Sequence, residues 1–104
     1  MIQDVSAYRD VTIKLPKDAA DIVSAQEIIA LLIDKSLNKT EYYRSKCQEM
    51  EQKYRAAFAD FKKKVEESEE EIFSEWDDLM IWEGYHLGYR EWLKRYKELK
   101  DCII

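Results

Sequence analysis

Between Tyr43 and Phe61 the apolar residues fall at Tyr43, Cys47, Met50, Tyr54, Ala57 and Phe61, in alternating steps of four and three. That is the heptad rhythm of a helix packing one stripe against a neighbour. Ile29, Ile33 and Leu37 lie on or near the same line upstream. A second run carries Ile72, Trp76, Leu79, Trp82, Tyr85, Tyr89, Trp92, Tyr96, Leu99 and Ile103, again in steps of three and four. All three tryptophans sit on or beside this second stripe. With two glycines and one proline in 104 residues, the chain lacks the turn formers of a sandwich or barrel. Charged residues make up 38%, which suits long solvated helices.

Nothing between Ser24 and Lys64 obliges a helix to end, although "SLNKT" offers a bend at Asn38. Unbroken, such a helix is about 60 Å long. A compact domain of this size has a radius of gyration of about 13 Å. Either the helix bends, or the molecule is an elongated, dimeric hairpin. The turn between the long helices is placed near residues 65–71, in "KKKVEESEEEIF", where apolar periodicity lapses and Ser68-x-x-Glu71 offers a capping box. The charge run there reads as a solvated corner. Gly84 and Gly88 each cost about 1 kcal/mol against Ala in a helix interior. Four residues apart, they permit a close crossing or seat an aromatic ring; a kink is the other reading.

The N-terminal stretch "RDVTIKLPKD" differs in kind. Val11, Ile13 and Leu15 alternate with Thr12 and Lys14, the period of a strand. A lone strand leaves its backbone groups unsatisfied, so it must pair, and a second copy of the chain is one partner available to it. Pro16, Asp18 and Asp21 then suit the start of a helix. Ser24-Ala-Gln-Glu27 is a capping box and a second start. Two helices, a short one over 17–23 and a longer one from Ser24, and a single continuous helix are equal alternatives.

Composition narrows the function classes. The longest apolar run, "IIALLI", is far below the roughly 18 residues of a spanning helix. The first residues lack the basic start and apolar stretch of a signal peptide, so a cytoplasmic location is expected. Cys47 and Cys102 have no C-x-x-C spacing and read as reduced thiols, with Cys47 acting as a small hydrophobe on its stripe. A net charge of −5 argues against nucleic-acid affinity spread over the whole surface, though not against a local basic patch. Glu83-Gly-Tyr-His86 is literally Glu-x-x-His, the pair that grips iron in di-iron bundles. The chain has a single His, so a symmetric dimer would be needed to complete such a site, and no metal is assigned. No Ser or Cys has a His–acid context and no phosphate loop occurs. Aromatic residues at this spacing also suit base stacking, but a core or subunit contact is the simpler reading. No enzymatic activity and no cofactor are expected.

Strand, Leu15-Pro-Lys-Asp18 and a Ser24-capped helix with "EIIALLIDKSL" together resemble the ribbon-helix-helix DNA-binding domains common among antitoxins. The resemblance covers roughly residues 1–38. It implies two chains pairing their strands into a ribbon in the major groove. Thr12 and Lys14, with Arg9, would read bases, and the backbone at Ser24 would touch phosphate. Two departures are visible: the first helix has room for about two turns, and no Gly marks the turn after it. The remainder is similar to small, mostly archaeal and cyanobacterial proteins that share "YYRSKCQEMEQKY", an acidic corner and "EWDDLMIWEGY". That likeness implies an antitoxin partner for a neighbouring toxin.

The expected fold is mainly α: a short N-terminal β-strand and a helix over residues 1–38, then a long antiparallel, coiled-coil-like helical hairpin over 39–104, dimeric. The expected function is a non-enzymatic antitoxin-like protein. It would dimerise through its strand and bind operator DNA or a protein toxin. Trp76, Trp82, Tyr85, Tyr89 and Trp92 would bury against themselves, a second subunit or the toxin. The alternative is a helical-hairpin interaction module with no DNA role.

Overall fold

The computed structural model describes residues 7–102. Four helices follow one another: α1 (Lys17–Ile22), α2 (Ala25–Tyr54), α3 (Phe58–Glu67) and α4 (Phe73–Lys100). α2 and α4 run antiparallel: Lys53 meets Asp78, Tyr43 meets Gly88, and Lys35 meets Trp92. At the usual rise, 30 and 28 residues give rods of about 45 and 42 Å. The described chain measures 63 × 33 × 20 Å with a radius of gyration of 19.8 Å. The elongated hairpin expected from the two stripes is therefore present.

Two details differ from expectation. No strand occurs among the described residues; residues 8–16 form neither helix nor ladder. A strand exists through hydrogen bonds to a neighbour, and among the described residues none pairs with this segment; the Ala20 N–H returns to the Pro16 carbonyl at 2.9 Å as α1 begins. The helix that opens at Ser24 also ends earlier than expected, at Tyr54, and is unbroken through Asn38. Arg55 takes a left-handed conformation (φ 52°, ψ 42°), and the N–H groups of Arg55 and Ala56 both return to the Glu51 carbonyl. This is a helix C-terminal cap of the kind glycine usually supplies. A straight continuation would carry Phe61 about 10 Å past Tyr54. The break instead folds α3 back onto α4, where Phe58 and Phe61 each lie 5.4 Å from the Trp82 ring.

Local start signals met mixed fates. Ser24 caps α2, its Oγ accepting the Glu27 N–H at 3.1 Å. Of the two alternatives for the region before it, the short separate helix is the one observed. Ser68 does not cap α4. Its hydroxyl exchanges hydrogen bonds with the backbone of Glu70 (3.0 and 3.2 Å), and α4 begins behind Ile72 without a side-chain cap. The turn into α4 falls at 68–72, overlapping the expected 65–71 but opening three residues later because α3 runs to Glu67.

The core is small and lies at one end. Phe61, Val65, Leu79 and Trp82 are its buried apolar members, with Cys47, Met50, Tyr54, Phe58 and Trp76 packed around them. Each large side chain buried here contributes roughly 1.5–3 kcal/mol. Towards the opposite end the buried positions on α2 are Ser36 and Thr40. The Thr40 hydroxyl donates to the Ser36 carbonyl at 2.7 Å, which satisfies it inside the seam.

Candidate partner-binding surfaces

The aromatic stripe of α4 is placed largely within the chain. Trp82 is wholly buried (0% exposed). Of the three outcomes expected for it, burial against the chain itself is the one observed. Trp76 is half-buried against the same core. Tyr85 and Tyr89, also half-buried, lie on the α2 side: Tyr85 is 6.4 Å from the Tyr43 ring, and Tyr89 shares a shallow cleft with Cys47 and His86. Trp92 sits at the open end of the hairpin. The Arg95 guanidinium lies 4.5 Å from its ring centre and the Lys35 ammonium 6.0 Å, so two cations flank its π-face. A cleft of about 400 Å³ opens beside it, bordered by Tyr8, Leu32, Ser36, Leu99 and Cys102.

Residues 7–18 are all exposed. Val11 and Ile13 are 78% and 63% exposed, and Leu15 is exposed as well. So are Arg9, Thr12 and Lys14, the residues assigned to base reading. Ser24 is half-buried, with its hydroxyl committed to the α2 cap. Arg9, Lys14 and Lys17 are interleaved with Asp10, Asp18 and Asp21, so charges cancel over residues 9–21.

Glu83 and His86 do not converge on a common point. Glu83 reaches the Lys62 ammonium at 3.9 Å, while the His86 ring stacks on Phe58 with centres 5.2 Å apart. Among the described residues no three His, Cys, Asp or Glu side chains are grouped to hold a metal ion. Burial, and then the charge of Glu51, push the Cys47 thiol above its ordinary value. A nucleophile needs the opposite shift. No disulfide joins Cys47 to Cys102. No helix among the described residues is long and apolar enough to cross a membrane.

The tightest polar cluster is structural. Asp78 on α4 accepts from the Lys53 ammonium at 2.6 Å and from the Tyr54 hydroxyl through a very short hydrogen bond. The bond from Lys53, then that from Tyr54, hold the Asp78 carboxyl below the ordinary range. Burial, followed by the Asp78 hydrogen bond and charge, pushes the Tyr54 phenol up to about 12. Lys53 and Tyr54 are adjacent in sequence, so one carboxylate pins the last turn of α2 to α4.

One surface was passed over in the sequence. Phe73, Met80 and Leu87 are seven residues apart on α4 and are 77%, 71% and 53% exposed. They face away from α2, with Gly84 between the last two. Their heptad spacing is visible in the sequence, but the denser Trp and Tyr stripe on the opposite side of the same helix masks it. The chain matches no protein-family model, no curated protein and no solved structure.

Proposed function

We propose that this chain is a non-catalytic, antitoxin-like interaction protein that pairs with a second copy through its N-terminal segment and presents its helical hairpin to a protein partner. The observation that carries the reading is the state of residues 8–16. Val11, Ile13 and Leu15 project into solvent from a backbone outside any helix or strand. Alternating apolar residues gain nothing in water. Pairing with the same segment of another chain would bury them on one face and complete the backbone hydrogen bonds. Thr12 and Lys14 would then stand on the opposite face, available to an operator. An antiparallel ribbon is self-complementary, as a two-fold dimer requires.

The deciding experiment is light scattering on the full chain and on Ile13→Pro. Proline removes a ladder donor, and position 13 lies outside the helices, so circular dichroism should be unchanged. The expected result is loss of the strand-paired species; an unchanged mass overturns the pairing. The antitoxin component is tested by co-expression with the product of the adjacent gene. Co-purification and relief of growth arrest are expected, and failure of both overturns it. Operator binding is tested with duplex DNA from upstream of the coding region. Lys14→Ala should weaken the complex and reduce its salt slope by about one. No complex at low salt leaves the interaction module without a DNA role.

A further inference from the structure

We infer that the exposed stripe of α4 is a self-association surface on which a second copy of the chain packs its own α4 antiparallel, crossing near Gly84. This goes beyond pairing through the N-terminal segment and uses a separate surface. Phe73, Met80 and Leu87 repeat every seven residues on the side of α4 turned away from the hairpin core. A heptad repeat of large apolar residues is the seam of a helix–helix contact, and among the described residues no helix lies against it.

The two glycines of α4 give an independent indication. Gly88 has a reason within the chain: a Cβ there would come within 2.8 Å of the Tyr43 ring. Gly84 has none, because a Cβ at that position would meet nothing within 4 Å. A glycine in the middle of a 28-residue helix, destabilising and unexplained within the chain, fits a position where another backbone comes close.

Charge selects the occupant and its direction. The first half of α4, residues 73–86, has no Lys or Arg, and besides Asp78, which is held by α2, it carries Glu75, Asp77 and Glu83. The second half carries Arg90, Lys94, Arg95, Lys97 and Lys100 against Glu91 and Glu98. In antiparallel pairing about Gly84 the acidic stretch 73–83 of one copy lies along 84–94 of the other, where Arg90 and Lys94 outnumber Glu91, and Asp77 comes opposite Arg90; parallel pairing would set acidic against acidic. The helix is thus complementary to its own reverse, the property a two-fold interface needs. Crossing beside Gly84, which stands four residues after Met80 and three before Leu87, sets Met80 of each copy next to Leu87 of the other. The N-terminal segments then lie at opposite ends of the pair. They cannot join within it, and the smallest closed assembly using both contacts is a tetramer.

The test is sedimentation equilibrium on the wild-type chain, on Met80→Lys/Leu87→Lys and on Gly84→Ala. Both positions of the double variant are exposed, so the fold is expected to survive, checked by circular dichroism. The double variant should halve the mass at micromolar concentration. Gly84→Ala should raise the dissociation constant at least tenfold without lowering the melting temperature of the dissociated chain. A wild-type chain that stays monomeric, or a mass that neither variant changes, overturns the inference and leaves the stripe to a different protein. Ile13→Pro keeps the two readings apart. If it leaves the mass unchanged while the stripe variants reduce it, pairing through the N-terminal segment fails and α4 pairing stands; the reverse pattern removes α4 pairing alone.

Discussion

Asp78 gathers two donors from consecutive residues of α2, so its protonation state sets how firmly the closed end of the hairpin is held. Its folded carboxyl titrates below the ordinary value of 3.8. Its contribution is therefore complete above that value and is lost as pH falls through the folded one. Tyr54 behaves in the opposite sense. Its ordinary value of 10.0 is raised to about 12, so stability is full below pH 10 and declines as pH rises towards 12. Denaturation midpoints measured across pH should show both limbs. Asp78→Asn should remove the acidic one and cost about 1–2 kcal/mol at neutral pH, since Lys53 is largely exposed and screened. Gly88→Ala drives a methyl group into the Tyr43 ring and should cost about 1–3 kcal/mol. In the dissociated chain Gly84→Ala should instead stabilise by up to about 1 kcal/mol, read as a raised midpoint in a urea titration.

At the level of elements, the stripes that define α2 and α4 were legible because packing repeats itself every three or four residues. Ser24 announced its helix, and the acidic corner announced the turn into α4. The break at Arg55 had no such sign. Its neighbours Tyr54, Ala56 and Ala57 include good helix formers, and the left-handed residue is neither Gly nor Asn. What ends α2 is the gain from laying Phe58 and Phe61 on Trp82, a contact between residues more than twenty positions apart that no local pattern encodes. Trp82→Ala should accordingly cost about 3–5 kcal/mol and detach α3, seen as lost helical signal beyond that of a single side chain. Arg55→Gly, which relieves the unfavourable conformation, should raise stability by about 0.5–1 kcal/mol in thermal melts. The partner-facing assignment was the less readable part. Periodicity marks which residues share a side of a helix, but two opposite sides of α4 are both apolar, and the sequence does not say which of them α2 covers.

The whole molecule is a rod with unequal ends. Small-angle scattering from a variant that joins Ile13→Pro to the two stripe substitutions, and so breaks both contacts, should return a radius near the 19.8 Å of a single chain, well above the roughly 13 Å of a compact domain of this size. The four buried apolar residues among those described, and the Lys53–Tyr54–Asp78 clasp, belong to the end that α3 closes. The other end has Ser36 and Thr40 as its buried positions, with half-buried residues such as Ile33 and Leu99 and a tryptophan shared between two cations. Anchorage of this kind makes separation directional. The chain should unzip from Leu32 and Leu99 inwards, and amide exchange should slow progressively towards Met50 and Leu79. A ligand that seizes the loose tips would meet little resistance there, while the far end keeps the rod in one piece.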